Sequence, residues 1–200
     1  MFVATARRRH RQRAAHGQDG FTLLEVLIAI LVLLLGLLGM AGVQVRTTQA
    51  EFESYQRTQA LVLLHDMVDR LQANRLRAAC YALTTNTTSG SPFAGTGATL
   101  PGCGTGTGAD ELVALADMSA WSTALQGAAE TQGTDKVGAM IGARGCITAD
   151  GGDVYTVSVA WQGMSNTAAP PAALTCGTGL YGNEALRRVV STTLRVAGLI

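Results

Sequence analysis

The chain has 200 residues, 48% of them hydrophobic but only 14% charged, against a usual ~25%, which excludes a disordered acidic or basic chain. The formal net charge of +1 conceals an asymmetry: Arg7, Arg8, Arg9, Arg11 and Arg13 face only Asp19 in the first 20 residues, whereas the rest holds ten basic against thirteen acidic groups. The body therefore lacks the clustered basic excess that nucleic-acid binding needs. With His10 and His16 in the basic head, only His65 remains elsewhere, too few for His-based triads or multi-histidine metal sites.

Residues 1–20 form a basic leader with no fold of its own. From Val26 to Val43 no side chain is charged, or polar beyond glycine. As a helix this run reaches ~27 Å, close to the hydrocarbon thickness of a bilayer. Arginines before the run place the N-terminus in the cytoplasm and the body across the membrane. A buried core helix is the bland alternative, but an all-round apolar stretch is hard to place in so small a soluble domain. A secretory signal is the other competitor, yet its apolar region is shorter, and only Ala41 and the nearby glycines imitate its cleavage site.

One helix is expected from residue 21 to about 80. Residues 21–45 are its membrane-spanning half. Beyond Arg46 the pattern turns amphipathic: Phe52, Tyr55, Leu61, Leu64, Val68 and Leu71 recur at helical spacing. Glu51, Glu53, Asp66, Asp69, Arg70 and Arg75 supply the polar remainder. Residues 46–200 are expected to form the globular head.

From Thr84 to Gly108 the Thr-, Ser- and Gly-rich text indicates a loop. Helical character returns from Ala109 to about Ala129, with Leu112, Leu115, Trp121 and Leu125 as core contacts. Gly127 to Gly142 carries no strong pattern. Strand signals follow at Arg144–Thr148, Val154–Trp161 and Leu186–Val196. Asp150-Gly151-Gly152-Asp153 is the turn between the first two strands, and Gly163 to Gly182 a long connection. The fold class is α+β, a long N-terminal helix packed on a small antiparallel sheet.

Cys80, Cys103, Cys146 and Cys176 all lie beyond the apolar run. An even count in an exported domain indicates two disulfides, although four cysteines allow three connectivities. Nearest-neighbour pairing, Cys80–Cys103 and Cys146–Cys176, is the one we expect. No CxxC pair is present for a zinc site, and an oxidising compartment disfavours one. Gly102-Cys103-Gly104-Thr105-Gly106-Thr107-Gly108 imitates a phosphate loop but lacks the following lysine and a preceding strand. His65 and Asp69 stand one helical turn apart, as an exposed pair would. Asn86-Thr87-Thr88 fits a glycosylation sequon by chance frequency. Trp121 and Trp161 suit a core better than a ligand platform. No catalytic constellation, metal site or cofactor motif emerges.

The segment before the apolar run carries a family resemblance. Gly20-Phe21-Thr22-Leu23-Leu24-Glu25-Val26-Leu27-Ile28-Ala29 resembles the processing and assembly motif of type IV pilins and type II secretion pseudopilins. Residues Tyr55–Leu61 and His65–Arg75 are similar to minor pilins of the PilV class, and Arg187–Thr193 more loosely so. The resemblance covers residues 20–80 clearly, and residues 84–140 carry none. It implies cleavage by a prepilin peptidase between Gly20 and Phe21, methylation of Phe21, and an anchor that survives processing. It implies the same α+β, type IV pilin-like fold, with no enzymatic activity and no cofactor. Major pilins usually carry a proline within the apolar helix. Here Gly36, Gly39 and Gly42 stand instead, each costing roughly 1 kcal/mol relative to alanine.

The function implied is that of a minor pilin. It would be a single-pass inner-membrane protein, its N-terminus cytoplasmic and its head periplasmic, that later joins the pilus fibre near its tip. The partners implied are the prepilin peptidase, other minor pilins, the major pilin, the inner-membrane assembly platform and, at the tip, an adhesin. A minor pseudopilin of a type II secretion system is the alternative. A bitopic periplasmic binding protein with glycine-rich ligand loops is a third reading. Glu25 has two candidate roles. Thr22-x-x-Glu25 forms a capping box. The matching glutamate of the family is proposed to pair with the α-amino group of a neighbouring subunit, where an unpaired charge in low dielectric would be costly.

Overall fold

The computed structural model describes residues 20–97, 99–103, 108–128, 130–136, 138 and 140–197. Residues 1–19 of the leader, and residues 104–107 of the glycine-threonine segment, lie outside the described residues. The chain divides between Arg46 and Thr47 into two compact units.

In the first unit the described residues from Leu23 onward are helix. α1 spans Leu23–Ala73 and begins where Thr22 Oγ1 accepts the Glu25 N–H at 3.2 Å, satisfying one of the free amides at a helix start. The helix passes through Gly36, Gly39 and Gly42 unbroken, since intrahelical hydrogen bonds outweigh the small propensity cost of each glycine. A Cβ at any of the three would meet nothing within 4 Å.

The second unit contains a three-stranded antiparallel sheet with helices on one face. α1 buries Gln56, Ala60, Leu64, Met67 and Leu71. This i, i+4, i+8, i+11, i+15 spacing keeps one stripe toward the core. Phe52, Tyr55 and Leu61, expected on the stripe, are exposed. The stripe centres on the Ala60–Met67 side instead, which moves those three off its edge. α1 also stops earlier than the pattern indicated. Asn74 leaves helical geometry at φ −108, ψ 43, and a 3-10 helix, Arg75–Tyr81, follows. The Asn74 side-chain amide donates to Asp110 O at 2.8 Å and the Tyr81 hydroxyl at 3.3 Å.

α2, Ala109–Leu125, packs Ala114, Met118, Trp121 and Leu125 into the core. Leu112 is 61% exposed, because it falls on the other side of the helix from that 4-3-4 stripe. The Trp121 indole N–H donates to Leu63 O of α1 at 2.8 Å. A short hairpin then interrupts the segment with no strong pattern: β1, Thr131–Gln132, pairs with β2, Asp135–Lys136. Two-residue strands are too short to show alternation.

β3, Arg144–Gly151, pairs with β4, Val154–Gln162, which pairs with β5, Arg187–Arg195. The β3–β4 turn narrows to Gly152-Asp153, both at positive φ (58° and 61°), the conformation that matches strand twist in tight hairpins. The register shifts between Ala149 and Gly151. Asp150, displaced from the ladder there, accepts hydrogen bonds from Thr148 Oγ1 at 3.0 Å and Thr156 Oγ1 at 2.5 Å. β3 thus runs three residues beyond the stretch its β-branched residues mark. Ile147, Tyr155, Val157, Val159 and Trp161 face the helices; Trp121 and Trp161 both lie in this core.

Gly145 sets the distance between α2 and β3. A Cβ there would come within 2.3 Å of the Trp121 ring and 2.6 Å of Leu125 Cδ1. Only a residue without a side chain lets helix and strand approach so closely.

Candidate functional site

Gly20 and Phe21 precede α1 and are exposed. Among the described residues a Cβ at Gly20 would meet nothing within 4 Å. Contact with those residues therefore places no demand for glycine at this position. Glu25 stands one turn into the helix and is exposed. Thr22 caps its amide, but the capping box is half made: among the described residues the Glu25 carboxylate accepts no hydrogen bond. The cap thus uses the backbone of Glu25 and the side chain of Thr22, and not the Glu25 carboxylate.

Behind it, the large apolar side chains from Val26 to Val45 are all about half exposed or more. This segment is long and apolar enough to cross a membrane. Apolar surface on this scale is stable only when covered by lipid or by another protein.

Cys80 and Cys103 are joined, with Cα atoms 4.9 Å apart, tying the 3-10 helix after α1 to the loop before α2. Cys146 and Cys176 are joined at a Cα separation of 5.8 Å, tying β3 to the long β4–β5 connection. That second bridge lies on the sheet face away from the helices, packed with Ala160, Tyr181 and Phe93. Each closed loop is worth about 3–4 kcal/mol in the chain-entropy model.

His65 and Asp69 are both exposed; His65 Nδ1 lies 2.8 Å from Leu61 O, its own helical turn. Among the described residues no group of three or more His, Cys, Asp or Glu side chains is placed to hold a metal.

One polar cluster escaped the sequence reading. Glu53 Oε1 accepts the backbone N–H of Met164 and of Ser165 at 3.0 Å and the Ser165 hydroxyl at 2.9 Å. Arg188 Nη2 lies 3.4 Å away. Burial pushes the Glu53 carboxyl up, but the Ser165 and Met164 hydrogen bonds and the Arg188 charge outweigh it and hold the group below its ordinary value. The partners are more than one hundred positions away in sequence, and a glutamate on an amphipathic helix ordinarily just meets water.

Residues 16–41 match a family described as a prokaryotic N-terminal methylation motif, and residues 42–110 match a family described as type IV pilin Tt1218. The two matches support the type IV pilin superfamily. The pilin match continues past residue 80, where the motif resemblance ended, through the loop that carries Cys103 and into the first turn of α2. No curated protein and no solved structure matches the chain. The long N-terminal helix packed on a three-stranded antiparallel sheet is type IV pilin-like. The methylation motif and the exposed apolar helix fit a membrane-anchored pilin.

Proposed function

We propose that the chain is a minor pilin. Prepilin peptidase cuts it between Gly20 and Phe21 and methylates Phe21. Residues 21–45 hold it in the inner membrane, with the leader in the cytoplasm and residues 46–200 in the periplasm. It then enters the pilus fibre beside other minor pilins and the major pilin, near the tip, as PilV-class subunits do by resemblance. The assembly platform drives this step, and an adhesin at the tip is a neighbour. No catalysis is involved.

The observation that carries this reading is the coincidence of three features within one segment. Among the described residues nothing lies where a Cβ at Gly20 would stand. Among the same residues the Glu25 carboxylate, at the edge of the apolar run, accepts no hydrogen bond. Nor do the described residues bury the run. A cleavage site needs accessible backbone, an assembly charge needs a free carboxylate, and a shared anchor needs an unpartnered helix. In low dielectric, a paired charge costs far less than a lone one, so a neighbouring subunit's α-amino group at Phe21 fixes the stagger of two helices.

Intact-mass analysis of the chain recovered from membranes tests processing. The expected product starts at N-methylated Phe21 and keeps its apolar run. An N-terminus near Gly42 would replace this reading with a secretory signal. An uncut chain would support a bitopic binding protein. Recovery of the processed chain in sheared fibres distinguishes the pilus from a secretion system.

A further inference from the structure

The two edges of the sheet are treated differently. Along β3, Thr84 N–H donates to Ile147 O at 2.9 Å and Ile147 N–H to Thr84 Oγ1 at 3.1 Å; Ala94 and Gly145 exchange bonds of 2.8 and 3.1 Å. That edge is covered. At the two ends of the β4–β5 pair, Val196 N–H donates to Asp153 O and Gly163 N–H to Leu186 O, each at 2.8 Å. Hydrogen-bonded pairs alternate along an antiparallel ladder. With the observed register, the N–H and C=O groups of Arg188, Val190, Thr192 and Leu194 face β4. Those of Val189, Ser191 and Thr193 face away, and among the described residues nothing pairs with them.

Natural proteins blunt such edges with charges, prolines or bulges. β5 has none of these between Val189 and Leu194, a run rich in β-branched residues. A groove of about 380 Å³ opens at the Arg188–Val190 end of it, lined also by Glu53, Ser54, Arg57 and Trp161. An added strand would find backbone partners along the edge and a pocket for its alternate side chains, the two requirements of recognition by strand addition.

We propose that the free edge of β5 receives an extended, acid-bearing segment of a partner protein. The charge around the edge selects this occupant. Arg195 flanks the far end of the run and Arg57 lines the groove at its start, while Arg188 is already paired with Glu53. Arg57 and Arg195 are exposed and, among the described residues, form no ion pair. The one carboxylate in the groove, Glu53, is already engaged by Ser165, Met164 and Arg188. A second copy is a poor occupant. Antiparallel self-pairing lays the start of β5 on the end of its mate, so Arg188 and Arg195 approach their counterparts, and like charges across a strand pair are destabilising. The argument uses only groups of the single chain, so this inference does not rest on its proposed role in a fibre.

The test uses the full chain in detergent and two synthetic seven-residue peptides with the core Thr-Val-Thr-Val-Thr, one flanked by aspartates and one by lysines. Residue-resolved amide exchange is followed with each. The aspartate peptide should slow exchange at Val189, Ser191 and Thr193 at least tenfold, with little change at Val190 and Thr192, already protected by β4. The lysine peptide should leave all five unchanged. Ser191→Pro should abolish the effect, because that N–H points away from β4 and its loss spares the ladder. Arg57→Gln combined with Arg195→Gln should remove the preference between peptides while leaving exchange in the free chain as it was. Exchange at the three outward amides that neither peptide slows overturns the proposal, as does equal slowing by both peptides. Concentration-dependent protection without peptide also overturns it, in favour of a second copy.

Discussion

The Tyr81 hydroxyl donates to Asp117 Oδ2 at 2.6 Å, and Arg70 Nη1 donates to the other oxygen, Oδ1, at 2.8 Å. One carboxylate on α2 thus holds both the end of α1 and the 3-10 helix that follows it. Tyr81 is fully buried, so Tyr81→Phe keeps the packing and removes one charge-assisted bond, along with the longer one accepted from Asn74. The expected loss is about 1.5–3 kcal/mol, the range for hydrogen bonds to charged groups. Urea unfolding of the variant and wild type measures it. Equal midpoints would mean that Arg70 alone satisfies Asp117.

Gly145 is the tightest point of the core. Gly145→Ala forces the new methyl into the Trp121 ring and Leu125, so α2 must lift from β3 or a rotamer must distort. Overpacking of this kind costs about 1–3 kcal/mol. Gly39→Ala, with nothing within 4 Å, should leave the melting temperature of the head unchanged. Thermal melts of the two variants give the comparison. A Gly145→Ala melt matching wild type would show that α2 shifts freely.

The sequence carried the local patterns and lost the long-range ones. Alternation in Val154–Trp161 and the apolar run from Val26 to Val43 are properties of neighbouring residues, and both lie in the elements the text indicates. The 3.6-residue period gave the helix but only the approximate direction of its face, because contact with α2 and the sheet decides which side is buried. Phe52 and Tyr55 therefore lie off the buried stripe and Gln56 on it. The end of α1 is not legible locally, because Asn74 acts through Asp110 and Tyr81. The Glu53 cluster and the open edge of β5 depend on which strands become neighbours, and no local signal encodes that.

Ionisation of the head should narrow its stability at both ends of the pH scale. Burial pushes the Tyr81 hydroxyl up, with the Asp117 bond adding to it, and burial pushes Tyr181 up to about 12. Raised values mean the folded state holds these protons more tightly than the unfolded chain, whose tyrosines release theirs near ~10. The contribution is present below that pH and lost as pH rises through the folded values. At the acid end, the Gly179 N–H and Arg187 hold Glu184 down despite some burial, and Glu53 is also lowered. Their contribution is present above the unfolded value of ~4.3 and lost as pH falls through the lowered ones. Melting temperatures should therefore be level at neutral pH and fall in strong base and in acid. Tyr181→Phe should flatten the alkaline fall. An alkaline limb identical in Tyr181→Phe and Tyr81→Phe to that of wild type would contradict this assignment.

The two roles of Glu25 separate in two substitutions. The observed cap is made by Thr22 Oγ1 on the Glu25 amide, which survives any side chain at position 25. A helix-capping role for the carboxylate predicts that Glu25→Gln is tolerated, because an amide oxygen can still accept a backbone proton. Charge pairing predicts the reverse, because the neighbour's α-amino group would be left unpaired in an apolar setting. We expect Glu25→Gln to be processed and membrane-inserted with an intact head, and to fail to enter fibres. Glu25→Ala should behave alike, since losing a cap costs only ~1 kcal/mol in a helix already held by the bilayer. Thr22→Val, which removes the cap and keeps the charge, should still assemble. The ratio of each variant in sheared fibres to its level in membranes reads all three. Normal entry of Glu25→Gln with failure of Thr22→Val would make the segment a helix cap and end the charge-pairing account for this subunit.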